Sequence, residues 1–293
     1  MTKIKQPIPT YDLNDHAQRG FIVERMDERT RNSEDILLDK GIHRDSHYIF
    51  TFMESGHVRM LVDFKRVEAE GPSMFCLLPG QVHQGLLMEE VSGWFVAVNT
   101  DMVPDTVRAV FEESLMEIQT LPVDESWTEQ LNRSAETLRR CCTDDMFSDK
   151  DGILVIRSLL NAFTGMFAYS YSRNSGAEIS NDSRSLQLVR AFRILVRKNF
   201  KTLKSPSGYA ELLNISRSYL TEVVREVTGK PAQYWIHQEI LTEAKRSLFF
   251  TGLTVKEIAY ELGYSDHAYF TRLFSKLEGK SPSEFRVKNQ KQK

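Results

Sequence analysis

Ala210-Glu-Leu-Leu-Asn-Ile-Ser216 and Ala259-Tyr-Glu-Leu-Gly-Tyr-Ser265 are two copies of one seven-residue pattern, 49 residues apart. The correspondence continues past each copy, where Tyr219-Leu220, Val224 and Gly229-Lys230 match Tyr269-Phe270, Phe274 and Gly279-Lys280 at an offset of 50, so the second turn holds one extra residue. Each copy predicts a short helix carrying a small Ala, a tight turn at Asn214 or Gly263, and a second helix. The Ala lets two helices approach, and the turn residue tolerates positive φ. Ser216 and Ser265 stand where N-caps are expected, and Gly229 and Gly279 where a left-handed residue stops a helix. The grammar is that of a helix-turn-helix, written twice.

Between the copies lies Pro231–Thr251. Pro231 suits the start of a helix, and Tyr234, Ile236, Ile240, Leu241, Ala244, Leu248 and Phe249 give it an apolar face. Helical throughout, these 21 residues span about 32 Å at 1.5 Å each. Successive major-groove faces of B-DNA are about 34 Å apart. A rod of that length can hold two recognition helices in adjacent major grooves.

Charge divides the chain in the same place. From Ser183 onward there are 20 Lys+Arg against 10 Asp+Glu, a net of +10, whereas residues 1–182 carry −12 and the whole chain only −2. A basic half points to a polyanionic partner, although a solvated basic surface gives the same count. The polar, turn-rich stretch Ser172 to Ser183 reads as a linker. We therefore divide the 293 residues into an amino-terminal domain at 1–172, a linker at 173–183 and a carboxy-terminal domain at 184–293.

The first hundred residues hold short runs rich in β-branched and aromatic side chains, at Phe21–Val23, His47–Met53, Val58–Val62, Met74–Leu78 and Trp94–Val98. Gly56, Gly71, Pro72, Pro79-Gly80 and Gly93 punctuate them as turns. Such a pattern predicts an antiparallel β-sandwich or barrel. Helical periodicity follows: Val107, Val110, Phe111, Ser114, Leu115 and Ile118; then Trp127, Leu131, Ser134, Leu138 and Cys141; then Ile153, Ile156, Leu160, Phe163 and Phe167. The second stripe, flanked by Glu129, Arg133, Glu136 and Arg140, fits either a two-helix dimer seam or packing on its own sheet. The fold class is α+β.

Other chemistry is sparse. No uninterrupted apolar run approaches a membrane span, and the start of the chain has no apolar secretory core. Cys76, Cys141 and Cys142 form neither a disulfide framework nor a zinc ribbon. His43 and His47 are four apart; on a strand that spacing holds the rings more than about 10 Å apart, so with His83 they do not form a ligand set, and neither metal nor cofactor is called for. No G-x-S-x-G, P-loop or G-x-G-x-x-G occurs, and no catalytic constellation is found.

Tyr260-Glu-Leu-Gly-Tyr-Ser-Asp-His-Ala-Tyr-Phe-Thr-Arg-Leu-Phe-Ser-Lys276 and Gly279-Lys-Ser-Pro-Ser-Glu-Phe-Arg286 resemble the signature of the AraC/XylS family of bacterial transcription regulators. The first domain is similar, more distantly, to that family's cupin-like sensor domain, through His43-Arg-Asp-Ser-His-Tyr48, Gly56 and Leu78-Pro-Gly-Gln-Val-His83. The resemblance implies a cytoplasmic regulator of double-stranded DNA, a homodimer through its amino-terminal domain, responsive to a small-molecule effector and working with RNA polymerase; a membrane partner is not implied. It places Arg217, Ser218, Thr221 and Glu222 of the first recognition helix toward bases, and His267, Ala268, Thr271 and Arg272 of the second. Arg272 can bond a guanine bidentately, and Thr271 or Ala268 can touch a thymine methyl. Arg225 and Lys276, one turn on, suit phosphates. Glu222 departs from this chemistry, since a carboxylate repels phosphate. Tyr219, Leu220, Val224, Tyr269, Phe270 and Phe274 read as core, with a tyrosine hydroxyl in reach of a phosphate as the exception.

Effector contacts are expected from inward strand positions, namely Phe50, Phe52, His83 and Phe95. Two rival readings are a cupin-type metal- or sugar-binding enzyme with an appended helical domain, and a constitutive DNA-binding protein whose first domain only dimerises.

Overall fold

A computed structural model describes residues 6–13, 20–27, 41–113, 120–175 and 184–290. It forms two compact units, one at Pro9–Ser180 and the other built mainly on Asn181–Lys293. The first is a sheet with helices and the second is all helical, an α+β chain.

The amino-terminal unit is organised by two long strands. β4 (Tyr48–Val62) and β7 (Val82–Val98) pair antiparallel along most of their length, with register shifts between Met53 and Ser55, Ser55 and His57, and Arg59 and Met60. At those bulges the partners change. Residues 48–53 and 93–98 are flanked by β6 (Ser73–Leu77) and β2 (Phe21–Met26), the other ends by β5 (Lys65–Glu70) and β3 (His43–Asp45). The short β1 (Thr10–Tyr11) and β8 (Leu121–Pro122) extend the edges, making one eight-stranded sheet. Bulges bend and twist strands, and Met53, Met60, Val62, Phe75, Met88 and Ala97, drawn from both ends of the sheet, share one apolar interior. The runs 47–53 and 58–62 are therefore one bent strand. Gly56 and Gly93 sit within strands rather than at turns. At Gly93 a Cβ would lie 2.1 Å from the Phe52 carbonyl oxygen, so only glycine lets the strands meet there.

The other face is covered by helices. Tyr48, Phe50, Phe52, Met74, Cys76, Trp94 and Val96 alternate with the interior set, as a period of two requires. They pack on α1 (Asp105–Glu113), α2 (Glu125–Cys141) and α4 (Lys150–Ser175), with α3 (Asp144–Ser148) between the last two. In α1, Ser114, Leu115 and Ile118 of the expected stripe lie outside the described residues. The α2 stripe is used internally: Leu131, Ala135 and Leu138 are fully buried, and Asn132 accepts hydrogen bonds from Arg25 (3.0 Å) and Trp94 (2.6 Å) on the sheet. Its exposed Arg133 and Arg140 pair with Glu129 and Glu136 one turn back. This corrects the dimer-seam reading, because a seam residue cannot also be core.

Helix α4 revises two expectations. It runs to Ser175, three residues into the stretch read as linker, the rest of which (176–183) lies outside the described residues. By length and composition Lys150–Asn174 could cross a membrane. Yet Ile156, Leu160, Phe163 and Phe167 form one buried face against the sheet, while Leu154, Arg157 and Ser158 face solvent. That amphipathic pattern is the one a domain's own core helix shows.

The carboxy-terminal unit contains α5 (Arg184–Asn199), α6 (Pro206–Leu212), α7 (Arg217–Thr228), α8 (Ala232–Phe250), α9 (Val255–Glu261), α10 (His267–Glu278) and α11 (Pro282–Gln290). α8 is the shared spine, with Ala232, Ile236, Ile240, Ala244 and Leu248 buried in one core that takes residues from all the other helices. Its 19 residues span about 28 Å. α5, α6, α7, α9, α10 and α11 all contact it.

Candidate nucleic-acid interface

The two helix-turn-helix copies close by the same bonds. Ile215 N donates to Ala210 O (3.0 Å) and Asn214 N to Glu211 O (3.0 Å); Tyr264 N donates to Ala259 O and Gly263 N to Tyr260 O, both at 2.9 Å. This is the Schellman arrangement, which places the turn residue in the left-handed region. Asn214 has φ 54° and Gly263 φ 81°. Ala210 and Ala259 are buried where the helices cross.

The caps differ between the copies. Ser216 Oγ accepts from Tyr219 N at 3.1 Å, as expected. In the second copy the cap is Asp266 instead of Ser265, with its carboxylate accepting from Ala268 N at 2.8 Å. The extra turn residue shifts the helix start by one. Those backbone N–H groups of Ala268 and Tyr269, with Arg272 and His267 nearby, hold the Asp266 carboxyl below the usual carboxylate range. Gly229 and Gly279 end α7 and α10 in the left-handed conformation.

Helices α7 and α10 each bury one side and present the other. Leu220, Val224, Phe270 and Phe274 are buried. Arg217, Ser218, Glu222 and Arg225 are exposed on α7, and His267, Ala268, Arg272 and Lys276 on α10, with Thr221 and Thr271 half-buried at matching positions. The α7 set lines one open groove together with Glu226. Thr271 Oγ1 donates to His267 O at 2.8 Å, a back-bond that occupies the hydroxyl within its own helix. Arg272 rests 3.9 Å from Asp266 in a solvent-exposed pair, which is weak and is readily exchanged for a base or phosphate.

Tyr219 and Tyr269 correct the sequence reading. They are 42% and 50% exposed, not core. Each precedes Glu222 or Arg272 by three residues and so shares its helix face. Their phenol groups therefore belong to the presented surface. The offset that pairs the copies also pairs Glu222 with Arg272 and Glu226 with Lys276. The first helix is charge-balanced where the second is cationic.

A direct junction joins the two lobes. Lys204, in the loop after α5, donates to Phe200 O (2.6 Å) and to Leu262 O in the second turn, and stands 4.5 Å from the Tyr264 ring. Burial, then the neighbouring Lys201, pull its pKa down to about 8. A Cβ on Gly263 would lie 1.8 Å from Lys201 O. The relative placement of the two recognition helices thus rests on this contact as well as on α8.

In the amino-terminal unit the four positions read as effector contacts do not converge. Phe50 and Phe52 face the helix layer, where Phe50 meets Phe111 and Phe167 edge-on at 5.6 and 5.3 Å. Phe95 packs against the interior cluster instead. His83 borders a cavity of about 20 Å³ with Met26, Met60 and Phe75. Contrary to the expectation that the histidines stay apart, His43 and His83 are cross-strand neighbours, and Asp45 joins them, all three buried. Separation along the chain could not reveal a pair that the sheet creates. The two-residue spacing of His43 and Asp45, which puts both on one strand face, was the available signal.

A double helix-turn-helix domain with two outward-facing recognition helices is the class that this carboxy-terminal unit defines. Comparison agrees: a profile described as a helix-turn-helix domain matches residues 209–288. An uncharacterized HTH-type transcriptional regulator, YijO of Escherichia coli, is 32% identical over 111 residues, covering 38% of this chain and 39% of that protein. The arabinose operon regulatory protein of E. coli is 32% identical over 81 residues, 28% of each chain. Among solved structures, the C-terminal domain of AraT, a response regulator from Geobacillus stearothermophilus, is 30% identical over 36% of this chain and 88% of that one, with a TM-score of 0.34. The carboxy-terminal domain belongs with the helix-turn-helix domains of AraC/XylS-type regulators. The matched stretch spans about two-fifths of the length of the first of these relatives.

Proposed function

We propose that the protein is a transcription regulator that binds double-stranded DNA through α7 and α10, placed in neighbouring major grooves. The observation that carries this reading is the pair of matched recognition faces, held by one spine helix in a half with a net charge of +10. Arg272, His267, Ala268 and Thr271 read bases; Arg225, Lys276 and the two exposed tyrosines hold phosphates. Arg217, Ser218 and Thr221 contact the other groove, where Glu222 limits affinity. RNA polymerase is the downstream partner, and a chromosomal target puts the protein in the cytoplasm. The amino-terminal domain senses or dimerises. Any effector acts through its differential affinity for two arrangements of the protein. With the α2 stripe committed to its own core, the apolar residues Leu154 and Val155, exposed on α4, are the surface that favours a second copy there.

Selection of bound duplexes from a random pool by the full chain tests this. Two short conserved blocks about one helical turn apart are expected. Two cationic phosphate contacts imply affinity falling by at least ~10-fold between 50 and 200 mM salt. Recovery of no preferred sequence, with a flat salt dependence, would overturn it.

A further inference from the structure

Among the described residues, the strongest unassigned chemistry is the cluster of His43, Asp45 and His83. All three side chains are buried, at 1%, 5% and 2% exposure. His43 Nδ1 lies 3.0 Å from Gly41 O, and His83 Nδ1 lies 3.1 Å from Gln81 O. A carbonyl oxygen only accepts, so each Nδ1 carries a proton, and in the neutral ring Nε2 is then the electron-pair donor. Those Nε2 atoms stand 3.9 and 3.3 Å from the same oxygen, Asp45 Oδ2. His83 Nε2 has no hydrogen-bond partner although it is buried. Three electron-pair donors therefore face one another inside the protein, their ligand atoms all within 4.8 Å.

The geometry points to a binding site for a divalent first-row transition ion held by His43 Nε2, His83 Nε2 and an Asp45 oxygen. Donors about 2.1 Å from a tetrahedral ion are about 3.4 Å apart; His83 Nε2 and His43 Nε2 stand 3.3 and 3.9 Å from Asp45 Oδ2, so small side-chain shifts complete the set. Imidazole nitrogens select zinc- or iron-class ions over magnesium and calcium. The carbonyl bonds at both Nδ1 atoms are the outer support that ligating histidines ordinarily have, fixing tautomer and ring orientation. Three protein ligands leave a further position open to water or a small ligand. The inference is independent of the DNA-binding reading, since it uses only β3 and β7 (His43–Asp45 and Val82–Val98).

The test uses the full chain, stripped with chelator and titrated with Zn(II) by calorimetry and with Co(II) by visible absorption. One ion per chain and a Co(II) ligand-field band are expected. Asp45→Asn, nearly isosteric, and His83→Gln should each weaken binding at least tenfold, the effect expected of losing a ligand, while His57→Gln leaves it unchanged. Near-ultraviolet circular dichroism identifies variants that keep their packing, and only these are scored. Absence of uptake by the parent chain overturns the proposal. So does uptake that survives both variants, or a thiolate-to-Co(II) charge-transfer band marking Cys141 and Cys142 as the ligands.

Discussion

Replacing Gly263 by Ala should be far more damaging than replacing its counterpart Asn214 by Ala, although both occupy the same position of the same motif. Both residues are left-handed, at φ 81° and 54°, and an Ala there costs about 1–2 kcal/mol relative to glycine. For Asn214 the loss is smaller, about 1 kcal/mol, because asparagine already bears part of that cost. Gly263 has a second constraint. Its new Cβ would sit 1.8 Å from Lys201 O, where ordinary contact begins at 3.4 Å. One backbone must retreat, and the Lys204 bond to Leu262 O goes with it. Overpacking adds about 1–3 kcal/mol, and the hydrogen bond about 1 kcal/mol after allowance for its half-exposed donor. Gly263→Ala thus costs ~3–6 kcal/mol. At roughly 4 °C per kcal/mol, the two variants should differ in melting temperature by about 8–20 °C. Amide exchange over α6–α10 in the full chain reports this unit apart from the other. Equal protection loss in the two variants would refute the reasoning, as it would mean that the Lys201 contact places no demand on the turn.

Arg272→Ala should weaken binding to a selected duplex by ~1–3 kcal/mol and relax preference at one base position; competition with base-substituted duplexes reads both, and an unchanged preference counts against a base contact. Glu222→Ala should tighten binding to random-sequence DNA by removing a charge that repels phosphate, so looser binding to every duplex would sink the account of the first helix. Asp266→Ala should lower thermal stability by uncapping α10. Because the Asp266 carboxyl titrates below the usual carboxylate range, its contribution is complete above about pH 4 and disappears as pH falls through the depressed value. Asp266→Asn should flatten that acid limb in a pH series of melts.

The carboxy-terminal fold was legible because its determinants are local. Caps, turn residues and a helical apolar period are written within a dozen residues each, and the repeat read them twice. The differences there are local: Asp266 caps α10 in place of Ser265, and Tyr219 and Tyr269 lie on the exposed helix face although their aromatic character suggests core. The amino-terminal half was legible only as strands and helices. Which strands pair is a long-range property. Hence β4 was broken in two at Gly56, a residue that bends the sheet without ending the strand. Phe50 and Phe95 do not share the inward face expected of both, because Phe95 pairs with Thr51 rather than with Phe50. The His43–His83 pair escaped for the same reason: 40 residues apart in the chain, they become neighbours only through the register of β3 with β7.

On the proposed sensing role, the interior of the amino-terminal domain constrains which ligand could act there. A ligand moves an equilibrium only by its differential affinity for the two states. Pockets for organic ligands of ordinary size occupy about 300–1,000 Å³, whereas the cavity beside His83 offers about 20 Å³. Admitting an organic effector at that point means displacing Met26, Met60 or Phe75 from a packed core, and the work of opening subtracts from its affinity. An ion at the proposed site needs less displacement, because its donors lie within 4.8 Å of one another and two of them are oriented by backbone carbonyls. Ligation would also draw β3 and β7 together, tightening the pairing that carries His43 and His83. Of the two candidate ligands, the ion therefore asks the smaller rearrangement of this packed interior.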